Sequence, residues 1–255
     1  QFLQRTVAQV VPFNLMGPVI VVAVPADFSI TQEQLLTSVL ERIGAREVSS
    51  IAQPLAAAIG AGVPVADPTG ALVVSAGAGL VQAACVALGT QTAWKCNQTA
   101  GWTAIAQIIS LLKDNHHFLI SEQTAQQLLE TVVSVQKAQR GKQVVGKSAL
   151  SGAPQEFLIK SALLTEAGML VAQSCAELIK ELLKTMDASL MVDVVAKGIV
   201  LTGGLSQLAG LEEYLVRKLG VCVAVVEEPE LAVIKGTGVV LQHYELFKQG
   251  LGHRQ

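Results

Sequence analysis

The chain has 255 residues, of which 51% are apolar, 15% charged and 4% aromatic, with a formal net charge of −2. That length allows a sizeable core and two lobes, filled mainly by Val, Ala and Leu. The weak negative charge, without any dense Lys/Arg cluster, argues against nucleic acid as a partner.

In chain order, residues 1–11 are short and weakly amphipathic, the tail of a helix. Val19–Val24 has the composition of a strand buried on both faces. Ser29-Ile-Thr-Gln32 is a capping-box pattern that opens a helix to about Ile43, with Gly44 as its stop. Residues 47–51 form a second strand and residues 55–59 a short helix, an order that predicts a parallel sheet. The segment Gly62-Val-Pro-Val-Ala-Asp-Pro-Thr-Gly70 has two prolines between end glycines and marks the lobe boundary. It divides the chain into residues 1–68 and 69–255.

Beyond it, residues 71–74, 82–88 and 90–95 read as an antiparallel meander, broken at 76–79 and at Gly89. Helices follow from about Trp102 to Lys113 and from Ser121 to about Gln136. A polar hinge over 137–147 and a short β-rich piece to about Ile159 make a small insert, about residues 122–165. Residues 165–186 are helical, with Leu170, Ser174, Leu178 and Leu182 on one face. Residues 198–202 are a strand, 210–219 a helix and 222–226 a strand. A last helix in 229–247 is entered through Gly236-Thr-Gly238. The tail from Tyr244 to Leu251 presents aromatics, which such tails ordinarily bury against a lobe. The fold class is α/β with mixed sheets.

Four scattered cysteines (Cys85, Cys96, Cys175, Cys222) lack metal-ligand spacing and read as buried reduced thiols of a cytoplasmic protein. His116-His117 is a solvated helix-to-loop junction, so no metal site is expected. The longest apolar runs, residues 18–25 and 71–74, fall short of the roughly 20 residues that a spanning helix needs. No spanning helix is expected, and membrane contact is unsupported. The chain opens at Gln1, not Met, so a removed leader or an upstream segment stays open.

Two segments carry the functional argument. Ala71-Leu-Val-Val-Ser-Ala-Gly-Ala-Gly-Leu80 is a buried strand that runs into a glycine turn. Gly198-Ile-Val-Leu-Thr-Gly-Gly204 repeats that plan. Strand-to-glycine turns let backbone N–H groups approach a phosphate closely, although tight turns also take glycine for its positive φ alone.

With Gly44-Ala-Arg-Glu-Val48, Gln53-Pro54-Leu-Ala-Ala-Ala-Ile-Gly-Ala-Gly62, Pro64-Val-Ala-Asp-Pro-Thr-Gly70, Ser121-Glu-Gln-Thr-Ala125, Leu208-Ala-Gly-Leu211 and Glu228-Pro229, these segments resemble the bacterial actin MreB family in sequence and order. The resemblance spans nearly the whole chain. It implies the actin-like (ribonuclease H-like) fold: two α/β lobes around a nucleotide, with the first lobe truncated, because Gln1 matches a helix well inside it. It also implies head-to-tail filaments, commonly membrane-apposed, that set rod shape. ATP and Mg are the cofactors it suggests.

The departures from the family pattern lie at the chemistry. The hairpin with an Asp-x-Gly-Thr turn has no match in this chain. The Asp-x-Gly-Gly-Gly-Thr turn becomes Ser75-Ala-Gly-Ala-Gly-Leu80, which loses the magnesium-holding carboxylate and a threonine hydroxyl. The glutamate before Pro54 is Gln53, an amide that orients water without polarising it as a carboxylate would. An acidic turn expected near position 99 reads Asn97-Gln-Thr-Ala-Gly101, and a Lys and a Glu near the ribose fall on Leu129 and Thr131. Neither Lys95 nor Lys137 is placed by a motif to meet phosphate charge. The residues carried over are Gly77 and Gly79 for phosphate, Thr202, Gly203 and Gly204 for adenosine, and Gln53 for water.

Three readings follow. The first is a scaffold related to cell-shape determination, with a degenerate nucleotide site and little or no hydrolysis, that self-associates or co-assembles with a complete actin homologue. The second is an active ATP-binding filament former whose first segment is supplied elsewhere. The third is a DnaK-like or sugar-kinase-like ATPase, for which Asp27 would be the only nearby base; a solvated residue before the Ser29 cap is its simpler role. A two-stranded first lobe would have exposed edges, predicting oligomeric contact or marginal solubility.

Overall fold

The computed structural model describes residues 2–10, 17–136 and 139–251. The first part contains α1 (Phe2–Val10), β1 (Val19–Val24), α2 (Ile30–Arg42), β2 (Glu47–Ala52) and α3 (Gln53–Gly60). β1 and β2 pair in parallel from Val19↔Glu47 to Val24↔Ala52, as the β-α-β order requires. The Ser29 hydroxyl accepts the Gln32 N–H at 3.2 Å while Gln32 Oε1 accepts the Ser29 N–H at 2.9 Å. Two otherwise unpaired amides of α2 are thereby satisfied. This sheet has two strands and no more among the described residues.

The second part begins with the meander β3 (Ala71–Ala76), β4 (Val81–Ala87) and β5 (Thr90–Asn97), followed by α4 (Gly101–His116). β6 (Phe118–Leu119), α5 (Glu122–Thr131), β7 (Gly141–Ser148) and β8 (Pro154–Lys160) come next. The chain continues through α6 (Ser161–Thr185), α7 (Ala188–Lys197), β9 (Ile199–Thr202), α8 (Leu211–Leu219) and β10 (Val223–Val225), and closes with α9 (Ala232–Gln242) and α10 (Tyr244–Leu251). A mixed five-stranded sheet has the order β10-β9-β3-β4-β5, and a smaller antiparallel sheet the order β6-β7-β8.

Every residue of β3 and β4 is buried. The strand alternation sends Leu72 and Val74 into a core with α4, α5, α6 and α8, and Val73 into a second core with α3 and α9. α6 is long and apolar enough to cross a membrane by length and composition, although polar residues interrupt its apolar ones. Its Val171, Cys175, Ile179 and Leu182 are instead buried in the first of these cores, the place of a central helix in a packed domain.

Four expectations need correction. α5 stops at Thr131, not near Gln136, and the chain then bridges Ser134 to Ala209. The expected hinge over 137–147 includes most of β7, which Val144 anchors in the core while its neighbours face solvent; Lys137 lies outside the described residues. Gly236 and Gly238 lie inside α9, not at its entrance. A Cβ at Gly236 would come 1.8 Å from the Ala56 carbonyl oxygen, and one at Gly60 1.9 Å from that of Ala232. Glycine serves helix contact there, at the crossing of α3 and α9. Finally, all four cysteines are free, but Cys222 is exposed and Cys96 only half-buried.

α10 docks on the two-stranded sheet. The Tyr244 hydroxyl lies 3.0 Å from Ser49 Oγ, and Lys248 pairs with Glu47 at 3.1 Å. His117 is the exposed left-handed cap of α4 (φ 52°), as a helix-to-loop junction requires.

Candidate functional site

At the end of β3, one row of residues crosses four strands: Thr202, Ser75, Gln82 and Cys96. Cross-strand partners point to the same face, so Thr202, Ser75 and Gln82 put a polar row into three otherwise apolar strands. Thr202 is fully buried and its hydroxyl donates to the Val74 carbonyl at 3.1 Å. That hydrogen bond commits it to the sheet.

One amide of the glycine turn after β3 is also committed internally. The Gly77 N–H donates to the Leu80 carbonyl at 3.0 Å. The first amides of α4 are taken by the turn itself, Gly101 N–H to Gly77 O at 3.3 Å and Trp102 N–H to Ala78 O at 2.7 Å. A helix N-terminus is ordinarily an anion site because such amides are free; these two are occupied. Neither Gly77 nor Gly79 has positive φ, contrary to the turn-geometry expectation. Close approach explains Gly79, where a Cβ would fall 2.8 Å from an indole carbon of Trp102. Trp102, itself 68% exposed, therefore lies against the turn on which phosphates would rest.

Gly203 and Gly204 divide their roles. Gly203 has φ +86°, and a Cβ there would meet the Ala76 carbonyl oxygen at 2.3 Å. Its N–H donates to the Pro229 carbonyl at 2.8 Å, so the fold alone demands glycine. At Gly204 a Cβ would meet nothing within 4 Å, because this residue borders a cleft of about 580 Å³. Trp102, Leu129, Glu130, Gln207 and Glu230 also line it. Gln207 Nε2 donates to Glu230 Oε2 at 2.6 Å.

This cleft has room for a small organic group and lacks, among the described residues, the positive charge that phosphates would need. Its size is that of a small-molecule site, with apolar and aromatic walls. Its charged lining consists of two carboxylates and contains no Lys or Arg among the described residues. Magnesium prefers carboxylate oxygens, and Ser75, at the end of β3, offers a hydroxyl only. No group of three or more His, Cys, Asp or Glu able to hold a metal occurs among the described residues.

Gln53 lies outside that lining. From the start of α3 its Oε1 accepts a hydrogen bond from Gln82 Nε2. Gln82 Oε1 accepts the Ala26 N–H at 2.7 Å. Gln82 is 1% exposed; its one sequence signal is a lone polar residue in the apolar run Val81-Gln-Ala-Ala-Cys-Val86. Cys96 lies 3.9 Å from Gln82 Oε1. Burial, and then the nearby Asp27 charge, push the Cys96 thiol up to about 11. Asp27 itself is exposed, as a solvated residue before the helix cap should be.

A family model described as MreB/Mbl protein matches residues 1–249. Cell shape-determining protein MreB of Escherichia coli (strain K12) is 29% identical over 250 residues, covering 96% of this chain and 72% of that protein. Cell shape-determining protein Mbl of Bacillus subtilis (strain 168) is 27% identical, covering 89% and 69% respectively. Among solved structures, MreB5 of Spiroplasma citri bound to ADP superposes with a TM-score of 0.91 at 21% identity, covering 97% of this chain and 75% of that one. The MamK double helical filament superposes with a TM-score of 0.80 at 19% identity, covering 94% and 73%. The mixed sheets above thus form an actin-like fold.

Proposed function

The chain belongs to the MreB/Mbl protein family, and from that premise we propose that it is a cytoplasmic cell-shape scaffold subunit that assembles without ATP turnover. The observation that carries this reading is the loss of acid at the site: Ser75 and Gln53 are neutral, and Gln53 is bound to Gln82. Without a carboxylate to anchor magnesium or polarise water, the γ-phosphoryl has neither charge compensation nor an activated nucleophile.

Filament formation is supported by the likeness to MamK, whose structure is a double helical filament. Open filaments need heterologous contacts, and exposed apolar side chains such as Val192, Val195 and Ile234 are available for them. Self-association is the simplest assembly; co-assembly with a complete actin homologue would use the same surfaces. Residues 1–68 and 69–255 are the two lobes of this reading, with about 122–165 as the insert.

The open cleft at Gly204 favours a second, compatible reading. A nucleotide is held by its nucleoside end, as suggested by likeness to MreB5 solved with ADP and with AMPPNP, but is not hydrolysed. Pelleting and electron microscopy of the purified protein test the proposal. Filaments should form equally with and without Mg-ATP. Assembly that needs hydrolysable ATP and fails with AMPPNP would reject the scaffold reading.

A further inference from the structure

Gln82 connects parts of the chain that pack on different sheets. Its Nε2 donates to Gln53 Oε1, at the junction of β2 and α3, and its Oε1 accepts the Ala26 N–H, just after β1, at 2.7 Å. Gln82 itself belongs to β4, inside the five-stranded sheet, and is 1% exposed. Both ends of one buried amide are thus satisfied by the two-stranded sheet's own connections.

We propose that Gln53 and Gln82 form an amide clamp that holds the two-stranded sheet closed on the five-stranded sheet without a bound ligand. An amide offers a donor and an acceptor, whereas an ionised carboxylate only accepts. Amide with amide forms the contact, and amide with carboxylate also forms it. Two carboxylates at this distance cannot, since neither has a proton to give and their charges repel. They would need a proton, a cation or a water between them. The two glutamines therefore make closure a property of the chain itself, and this deepens the scaffold reading on which it rests: no ligand is needed to bridge the two sides.

The test compares Gln53→Glu, Gln82→Glu and the double variant in the full chain, without nucleotide, by thermal melting and hydrogen–deuterium exchange. Each single variant keeps a donor in the pair; Gln53→Glu should melt within about 3 °C of wild type, and Gln82→Glu, which also buries a charge, should still melt above the double variant. The double variant should melt roughly 5–10 °C lower at pH 7.5, with amides of residues 19–27 and 53–60 exchanging at least about tenfold faster. At pH 5 much of that difference should vanish, as one carboxylate takes up a proton and donates to the other. Asp27 and Cys96 border the clamp in every variant, so the wild-type pH profile corrects for them.

A double variant indistinguishable from wild type would overturn the clamp. So would single variants as damaged as the double, or a loss that does not recover at low pH. ATP turnover by the wild type would sink the scaffold reading instead, and that outcome is measured separately.

Discussion

Gly236 of α9 lies directly on the backbone of α3: a Cβ at Gly236 would stand 1.8 Å from the carbonyl oxygen of Ala56. The reciprocal contact, Gly60 against Ala232, is equally close at 1.9 Å. Two helices from opposite ends of the chain thus cross with their backbones touching, and the second core forms around that crossing.

Gly236→Ala and Gly60→Ala should each destabilise the protein by about 2–3 kcal/mol, because the obstacle is backbone and the helices must separate. Gly204→Ala is the control. With open space around its Cβ, it should change stability by no more than about 0.5 kcal/mol. Urea melts of the three variants check the contrast.

Trp102 and Gly79 should be energetically coupled. Gly79→Ala pushes the indole off the turn in the wild type, and in a Trp102→Ala background it meets no ring. A double-mutant cycle should show a coupling of about 0.5–1 kcal/mol. Purely additive effects would mean that the indole does not rest on the turn.

Thiol reactivity follows burial. Burial raises the Cys175 thiol to about 12 and the Cys96 thiol to about 11, and Cys85 is raised for the same first cause. Iodoacetamide at pH 8 should therefore label Cys222 rapidly, Cys96 slowly, and Cys85 and Cys175 only after denaturation. The sign of the stability effect is fixed too. Folded thiols with raised pKa contribute stability that is fully present below the unfolded pKa, near 9. That stability falls as pH rises toward the folded values.

The docking of α10 depends on charge. Lys248 and Tyr244 hold the Glu47 carboxyl below its ordinary value, while Glu47 raises Lys248. A lowered carboxylate stabilises above its unfolded pKa, and that contribution is lost as pH falls through the folded value. The raised lysine stabilises below its unfolded pKa and loses its contribution as pH rises through the folded one. The pair is solvent-exposed, so salt should screen it. Hydrogen exchange in α10 should speed up at acid pH and in high salt, and Glu47→Gln should abolish most of that acid dependence.

Much of the fold was legible because its signals are local. The Ser29–Gln32 capping box, the stop at Gly44 and the apolar strands Val19–Val24 and Ala71–Ala76 each need only a few neighbouring residues. The site was legible less evenly. Gly203 and Gly204 look alike in sequence, yet one is fixed by the Ala76 carbonyl and the other opens into the cleft. Gln82 shows only its polarity locally, because its partners lie 29 and 56 residues away. β7 resembles a hinge in sequence because its polar residues outweigh the single buried Val144. Gly236 suggested a helix entrance because glycine's turn role is visible locally, whereas its role in helix contact requires knowing α3.

The most direct test of the scaffold account is steady-state release of inorganic phosphate by the assembled, purified protein at saturating Mg-ATP. The account predicts filaments in the sample and no release above that of protein-free buffer. Sustained release proportional to protein concentration would contradict it, because a site with Ser75 and Gln53 in place of acids would then be hydrolysing ATP.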